Sequence, residues 1–418
     1  MKIPFVTNEQ IKEICSHYAT PFYLYDEKGI RAGIRRLFAA FSWNPGYKEY
    51  FAVKACPNPF LIRIMQEEGC GLDCSSYTEL MIAEALKCRG TEIMFSSNVT
   101  PADDFRYARK LDATINLDDY THIAFLEQNG GLPETLCLRY NPGGDFKIGN
   151  TIMGNPGEAK YGFTKQQLLD GVKVLQQKGV RRFGLHAFLA SNMLDRDYYG
   201  KLSEILFETA VWLNQETGAD IRFVNLSGGI GIPYRPEDPA PDLEYIGQTV
   251  KAAYDRVIAP SPIAGLSIYT ELGRYITGPH GILFSKVLHK KDTYKHYVGL
   301  DACAANLMRP AIYGAYHHIT VMGKENAPAD HIYDVTGGLC ENNDKFAIDR
   351  PLPEISVGDI LAIQDAGAHG FSMGYNYNGK LRSAELLLKE DGTVEMIRRA
   401  ETPKDYFATF DFSGLFTF

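Results

Sequence analysis

Residues 49–60, EYFAVKACPNPF, place Lys54 inside an apolar run that two prolines close. A short continuous apolar run with breakers at its end is typical of a parallel strand covered on both faces. A lysine there has two interpretations: its stem packs while the ammonium reaches solvent, or burial lowers its pKa until it is a nucleophilic amine. Schiff-base chemistry requires the second kind. The rest of the chain must decide between them.

Further apolar runs follow, and segments with helical spacing at 78–87, 165–179 and 201–218 separate several of them. The runs lie at 50–55, 70–73, 92–96, 113–117, 135–140, 182–189, 221–227 and 266–271. Eight strands alternating with helices predict an α/β fold of the (β/α)8 TIM-barrel type. A doubly wound open sheet is the alternative, but the glycine fingerprint of its first turn is absent.

The pattern changes after about residue 285, where strands follow one another with few helical segments between them. These strands lie within 282–291, 294–302, 331–338, 359–367 and 384–399, the last with an Asp-Gly hairpin turn. We therefore predict a barrel formed by residues 25–285. A mostly antiparallel β domain, of β-sandwich or β-barrel type, is expected from residues 1–24 and 286–418.

The composition excludes several classes of function. A net charge of −8 without a basic tract argues against nucleic-acid and membrane-surface binding. No stretch has the length and apolarity of a membrane span or signal segment, so a cytoplasmic location is expected. The eight cysteines have no CxxC or zinc-type spacing, which predicts free thiols and no metal site.

Two glycine-bearing turns follow the last two barrel runs, SGGIGIP (227–233) and ELGRY (271–275). Barrels commonly bind phosphate in these loops, although each turn alone is equally consistent with ordinary loop glycines. Glu271 ends the eighth run, and the alternative for it is a solvated loop acid. Lysine, phosphate loop and carboxylate together meet the needs of pyridoxal 5'-phosphate. The backbone N–H groups available for the phosphate are those of Gly228, Gly229, Gly231, Gly273 and Arg274.

Nine short motifs occur in a fixed order along almost the whole chain. They are YFAVKA (50–55), GLDCSSYTEL (71–80), RYNPG (139–143), AKYGF (159–163), SGGIG (227–231), ELGR (271–274), MRPAIYGAYHH (308–318), CENND (340–344) and GFSMGYNYN (370–378). In this order they resemble the fold type III, alanine-racemase-like pyridoxal 5'-phosphate decarboxylases, and most closely the diaminopimelate decarboxylases. The resemblance implies a barrel with a β domain, pyridoxal 5'-phosphate as cofactor and a small amino-acid substrate.

The resemblance also implies catalytic roles. Lys54 is expected to bind the cofactor covalently, and Glu271 to face its ring nitrogen. Cys340 is expected to protonate the substrate carbon, reaching the site from the second subunit of a homodimer with shared active sites.

Other residues are implied as cofactor contacts. Asp73 and Arg139 are expected to form a charged pair near the lysine, with Lys160 and Glu79 as more distant support. The remaining expected contacts to the cofactor are Ser191, Gly228, Gly229, Gly273, Arg274 and Tyr377.

The implied reaction is loss of CO2 from meso-2,6-diaminopimelate to give L-lysine. A substrate with a distal carboxylate and a distal amine needs both a guanidinium and an acid. Arg274 and Arg309 are expected to bind the carboxylate, Tyr313 to add a hydroxyl and Glu341 to bind the ammonium. The alternative for Arg309 is a structural ion pair with Asp301 or another acid.

Two positions depart from the family pattern. The usual His-Cys-His-Ile-Gly-Ser run is HAFLASN (186–192), so Phe188 replaces the histidine that stacks on the cofactor. The usual Gly-Ala-Tyr-Gly is GAHG, with His369 where a phosphate-contacting tyrosine is expected. An aromatic ring still stacks and imidazole still donates to phosphate, so we expect both residues to contact the cofactor.

Two alternatives remain open at this point. The same fold and cofactor serve decarboxylases of ornithine, arginine, carboxynorspermidine or a carrier-bound glutamate. A non-catalytic homologue that regulates a partner is the other alternative. Arg309 with Glu341 argues against the former, and Lys54 with Glu271 and Cys340 argues against the latter.

Overall fold

The computed structural model describes residues 2–145 and 156–410. Its strands are β1 (Phe22–Asp26), β2 (Lys48–Ala52), β3 (Gly71–Cys74), β4 (Ile93–Ser96), β5 (Thr114–Leu117), β6 (Thr135–Arg139), β7 (Arg182–His186), β8 (Asp220–Asn225), β9 (Ser267–Thr270), β10 (Gly281–Asp292), β11 (His296–Leu300), β12 (Ile319–Val321), β13 (His331–Thr336), β14 (Lys345–Leu352), β15 (Ile360–Ile363), β16 (Ala384–Leu388) and β17 (Val394–Arg398). Its helices are α1 (Asn8–His17), α2 (Glu27–Phe41), α3 (Pro59–Glu67), α4 (Tyr77–Ala85), α5 (Ala102–Lys110), α6 (Thr121–Asn129), α7 (Lys165–Gln177), α8 (Tyr198–Thr217), α9 (Leu243–Val257), α10 (Arg274–Thr277), α11 (Arg309–Tyr313) and α12 (Pro403–Tyr406).

The chain forms two compact units. The barrel unit comprises Arg31–Ile232 and Pro239–Ile276. The sheet unit comprises the chain up to Ile30, the short segment Pro233–Asp238, and the chain from Thr277 onward. The domains predicted from sequence, 25–285 against 1–24 with 286–418, remain a proposal for the parts that fold independently.

In the barrel unit, β2 to β9 pair in parallel in sequence order, and β9 returns to β2 to close the barrel. Tyr50, Met94, Cys137 and Phe223 form one buried cluster inside it. These side chains come from β2, β4, β6 and β8, which is the layered packing of alternate strands that fills a (β/α)8 barrel. The predicted barrel is confirmed, and its filled interior leaves the strand ends as the place for chemistry.

The barrel helices begin where the sequence supplies caps. Ser76 accepts a hydrogen bond from the Glu79 N–H at the start of α4, and Thr164 forms a capping box with Gln167 at the start of α7. Gly218 ends α8 in the left-handed region, with φ of 68°. Within 2–145 and 156–410, none of the helices combines the length and hydropathy of a membrane span.

In the sheet unit, β1 lies between β10 and β16 in the strand order β14-β13-β11-β10-β1-β16-β17. In addition, β15 pairs with β10, and β12 pairs with β15. Only the β1–β16 and β11–β13 pairs are parallel among those described, so the predicted mostly antiparallel sheet is confirmed. Phe22 and Leu24 of β1 are buried in one cluster with Phe284 and Leu386, which explains why the N-terminal strand joins this sheet.

Candidate active site

Lys54 does not lie in a strand. β2 ends at Ala52, and Lys54 occupies a 3-10 turn, Val53–Ala55, whose other two residues are buried. The Lys54 side chain is 49% exposed. The predicted strand at 50–55 is therefore wrong at its C-terminal end. The turn allows the apolar neighbours to pack while the amine leaves the strand end at the mouth of the barrel.

The amine of Lys54 lies among acidic side chains. Its Nζ is 3.3 Å from Oδ2 of Asp73. Burial of its surroundings alone would lower the pKa of Lys54, but the negative charges of Asp73, Glu271 and Glu79 outweigh it, so the pKa is raised. The expectation of a lowered pKa is therefore wrong for the protein alone, because the sequence does not show which carboxylates meet the lysine.

Asp73 is the buried partner in this pair. It lies on β3, and its Oδ1 has no hydrogen-bond partner among the described residues. Burial, followed by the negative charge of Glu271, raises the pKa of Asp73 to about 8. An unsatisfied buried carboxylate oxygen beside an amine is suited to receive a polar group of a bound ligand.

The raised pKa of Asp73 predicts a pH-dependent stability. Since its folded pKa of about 8 exceeds the ordinary 3.8, protonated Asp73 stabilises the fold below about pH 4, and this contribution is lost as the pH rises through 8. We expect Asp73→Asn, which does not titrate, to reduce this loss in cofactor-free protein by about 1 kcal/mol or more. Urea unfolding of both proteins at pH 5, 6, 7 and 8 measures the free energy of unfolding. The same decrease with pH in wild type and Asp73→Asn would contradict the prediction.

Arg139 has a different partner from the one expected. At the end of β6, its Nη1 donates to Oδ1 of Asp118 at 3.0 Å. The predicted pair of Asp73 with Arg139 is therefore wrong, since Asp73 pairs with Lys54 and Arg139 with Asp118. Asp118 was missed from sequence, although it directly follows β5, at the end of a barrel strand where catalytic groups are found.

Aromatic rings flank this part of the site. Nζ of Lys54 lies 5.9 Å from the centre of the Phe188 ring, and Cζ of Arg139 lies 5.8 Å from the same ring. Arg139 also lies 4.1 Å from the Tyr161 ring. Phe188 thus presents a ring beside the lysine, as expected for a stacking residue. Lys160, expected as distant support, is exposed and lies over Tyr161.

Glu271 follows β9 and is held by donors from two neighbouring strand ends. Nε2 of His186 is 3.0 Å from Oε2, the Ser227 hydroxyl donates to the same oxygen at 3.0 Å, and Asn225 Nδ2 donates to Oε1 at 2.7 Å. Burial alone would raise the pKa of Glu271, but His186, Lys54 and Ser227 lower it to about 2. The alternative of a solvated loop acid is therefore wrong. No role was predicted from sequence for Asn225 and Ser227. The prediction for this turn concerned only the glycines that follow them.

Glycines are required in these loops because neighbouring atoms lie too close to the backbone to leave room for a side chain. A Cβ at Gly228 would lie 2.7 Å from the Glu271 carbonyl oxygen, and one at Gly273 would lie 2.5 Å from Cβ of Ala55. Gly229 has φ of 127°, which side chains rarely adopt. Near them, Nη2 of Arg274 donates to the Ser191 hydroxyl at 3.5 Å. The barrel unit thus brings together most of the expected cofactor contacts.

In the sheet unit, Cys340 and Glu341 are exposed in one loop. Asp344 holds this loop by accepting from the N–H groups of Ala304 and Leu339, at 2.6 and 2.8 Å. The Cys340 N–H donates to Oδ1 of Asn378 at 2.7 Å, beside the 49% exposed Tyr377. The unit therefore brings together the expected proton donor, the expected ammonium partner and the YNYN segment.

Arg309, Tyr313 and His369 also belong to the sheet unit. Arg309 begins α11 and is only 6% exposed, with Cζ 5.0 Å from the centre of the Tyr234 ring. Tyr313, at the other end of this helix, is 59% exposed. His369 has φ of 54°, a left-handed conformation uncommon for a residue with a side chain. Such strain often marks a functional loop.

Comparisons with known proteins identify relatives that match almost the whole chain. The family model described as pyridoxal-dependent decarboxylase, pyridoxal binding domain, matches residues 30–278. Protein TabA of Pseudomonas amygdali pv. tabaci is 40% identical over 396 residues, covering 95% of this chain and 92% of that protein. Diaminopimelate decarboxylase of Methanothermobacter thermautotrophicus is 33% identical over 396 residues, covering 94% and 92%. The structure of diaminopimelate decarboxylase from Helicobacter pylori complexed with L-lysine has a TM-score of 0.86 at 27% identity, covering 95% and 98%.

Proposed function

The chain belongs to the fold type III pyridoxal-dependent decarboxylases, and we propose that its substrate is meso-2,6-diaminopimelate, which loses CO2 to give L-lysine. It is thus a carboxy-lyase that uses pyridoxal 5'-phosphate. The substrate is supported by the diaminopimelate decarboxylases among its relatives and by the H. pylori enzyme complexed with L-lysine. This reaction would complete lysine biosynthesis.

The barrel-unit residues fit the cofactor. When bound, pyridoxal 5'-phosphate supplies an aldehyde for an amino group and a ring that accepts the electron pair left by CO2. Lys54 would hold the cofactor covalently, and Glu271, ionised by its three donors, would face the ring nitrogen. Phe188 would stack on the ring. Backbone and side-chain donors for the phosphate in the barrel unit would be Ser191, Gly228, Gly229, Gly273 and Arg274. We further propose His369, of the sheet unit, as a phosphate donor and Tyr377 as a residue at the cofactor's edge.

The observation that carries the substrate choice is the burial of Arg309. Asp301, one alternative ion-pair partner for Arg309, accepts hydrogen bonds from Thr20, Ser285 and the Lys286 N–H. A buried guanidinium over the Tyr234 ring is suited to bidentate contact with the distal carboxylate.

The other substrate contacts complete the proposal. Arg274 and Tyr313 would assist with the carboxylate, and Glu341, exposed in its loop, would bind the distal ammonium. A substrate without the distal carboxylate would not gain the contact with Arg309, which disfavours lysine itself.

Release of CO2 from a substrate panel tests this proposal. Purified protein with added cofactor is incubated with meso-diaminopimelate, L-lysine, D-lysine and L-ornithine. We expect turnover of meso-diaminopimelate at least about 100-fold above the others, because only it satisfies both Arg309 and Glu341. Faster release from L-ornithine or L-lysine would overturn the assignment.

Cys340 is proposed to protonate the substrate carbon after CO2 leaves. We expect Cys340→Ala to lower turnover about 100-fold, the range for loss of a general acid, while cofactor absorbance stays unchanged. Cys15→Ala, a second thiol of the sheet unit that is not fully buried, is the matched control and should keep full turnover. Equal turnover in wild type and Cys340→Ala would remove the role from Cys340.

We further propose that the active protein is a cytoplasmic homodimer in which Cys340 serves the partner's site. Its eight cysteines are all free thiols, which is consistent with a reducing compartment. Light scattering measures the assembly. Activity restored by mixing the inactive variants Lys54→Ala and Cys340→Ala would support shared sites.

One observation favours a second candidate substrate. TabA, whose name states no activity, is 40% identical to this chain, whereas diaminopimelate decarboxylase of Methanothermobacter thermautotrophicus is 33% identical. Phe188 and His369 also depart from the family pattern. Another basic amino acid or carboxynorspermidine is therefore the alternative, and both are added to the panel if meso-diaminopimelate is not turned over.

A further inference from the structure

We propose that His186 is a positioning residue that keeps Glu271 ionised and turns one free acceptor of its Oε1 toward the cofactor. The proposal deepens the role proposed for Glu271 and rests on it. It concerns binding and protonation of the cofactor, so it holds for any amino-acid substrate.

The hydrogen-bond directions around Glu271 can be assigned from the neighbours. Oδ1 of Asn225 accepts from the Ser227 N–H at 2.8 Å, so its Nδ2 is the side that donates to Oε1 of Glu271. An ionised carboxylate only accepts, so Nε2 of His186 must carry the proton it shares with Oε2. Three donors therefore converge on one buried acid.

The donors are unevenly divided between the two oxygens. Oε2 takes His186 and Ser227, whereas Oε1 takes Asn225. Each carboxylate oxygen has about two acceptor positions, so the donors among the described residues fill Oε2 and leave one position on Oε1. A protonated ring nitrogen would therefore be received at Oε1, and His186 contributes by occupying the other oxygen.

The position of the imidazole is set by the barrel. His186 is the last residue of β7, and strand pairing places it beside Asn225 at the end of β8 and beside Arg139 at the end of β6. The Tyr140 N–H donates to its carbonyl oxygen at 2.6 Å. The side chain is buried, and Nδ1 has no hydrogen-bond partner in the described part of the chain. The ring is therefore anchored through its backbone and through Glu271.

The charge of Glu271 depends on these donors. Burial by itself would favour a neutral acid, and His186 is the largest influence that opposes it. A neutral Glu271 would no longer hold a proton on the ring nitrogen. The cofactor would then be bound less tightly and would accept electrons less well.

Variants of His186 separate these effects from folding. His186→Phe keeps an aromatic ring but removes the donor, whereas His186→Gln places an amide N–H near the position of Nε2. Trp43→Phe is the matched control. It removes from the barrel unit a buried ring N–H that has no hydrogen-bond partner among the described residues, and the Trp43 ring packs against Tyr254 of α9. The holoenzymes are prepared with 15N-labelled pyridoxal 5'-phosphate. Ring-nitrogen protonation is read by 15N NMR and the cofactor dissociation constant by titration.

In wild type, His186→Gln and Trp43→Phe we expect a protonated ring nitrogen. In His186→Phe we expect the signal of the unprotonated ring and a dissociation constant raised about 10- to 100-fold. Should His186→Phe not fold, Ser227→Ala, which removes the other donor to Oε2, is expected to shift both readouts in the same direction.

A protonated ring nitrogen with an unchanged dissociation constant in His186→Phe would overturn the proposal. So would a folded His186→Gln whose two readouts match those of His186→Phe. If His186→Phe does not fold, unchanged readouts in Ser227→Ala would overturn it. An unprotonated ring already in wild type would instead reject the proposed role of Glu271. A different result in the substrate panel would leave these readouts untouched.

Discussion

Exchange of Lys54 for alanine is expected to abolish decarboxylation, with turnover lower by about 10³-fold or more. Lys54 is the amine at the end of the first barrel strand, and its Nζ lies 3.3 Å from Asp73. Without it the cofactor has no covalent attachment, so borohydride treatment should trap no adduct on the protein. Peptide mapping after reduction and CO2 release together measure the effect.

Lys48→Met is the matched control for this experiment. Lys48 begins the same strand, but its Nζ donates to the Thr91 carbonyl oxygen and lies 5.0 Å from the Tyr50 ring. We expect this variant to bind cofactor and turn over substrate as wild type does. A reduced adduct found in Lys54→Ala, for example on Lys160, would show that the wrong lysine has been assigned.

Arg309→Leu is expected to reduce kcat/KM for meso-diaminopimelate by about 30- to 4,000-fold. This corresponds to about 2 to 5 kcal/mol, the cost of truncating one member of a buried charge pair. The leucine fills the space over Tyr234 but offers no donor to the distal carboxylate. Cofactor absorbance and the melting temperature should stay near those of wild type, because the loss appears only when substrate binds.

Arg235→Leu serves as the control for Arg309→Leu. Arg235 also lies over a tyrosine of the sheet unit, with Cζ 4.5 Å from the Tyr316 ring, but its side chain is exposed. We expect it to have little effect on kcat/KM. If Arg309→Leu lowers the turnover of diaminopimelate and of L-lysine by the same factor, Arg309 does not bind the distal carboxylate.

The barrel could be predicted because its signals are local. Each of the eight apolar runs coincides with a strand, with ends displaced by a few residues, and the three helical segments named from spacing match α4, α7 and α8. The position of β1 between β10 and β16 could not be predicted in this way, since these pairings join residues far apart in the chain. The error in the strand end at Lys54 arose because a 3-10 turn with buried neighbours has the same apolar pattern as a strand.

The residue types at the site could be predicted, but their partners could not. The pKa of Lys54 depends on Asp73 of β3, on Glu271 just after β9 and on Glu79 of α4, and no spacing rule connects these residues. The Arg139–Asp118 pair and the three donors to Glu271 likewise join different strand ends. Burial, which raises the pKa of Asp73, is a property of the whole fold.

Gly273 and Ala55 have a consequence for protein engineering. A Cβ on residue 273 would fall 2.5 Å from that of Ala55, so these positions, more than two hundred residues apart in the chain, share one size limit. A mutant library that enlarges either one would push the lysine turn away from its neighbouring loop. Attempts to broaden substrate range should therefore leave both residues fixed and vary the exposed Tyr313 and Glu341 instead.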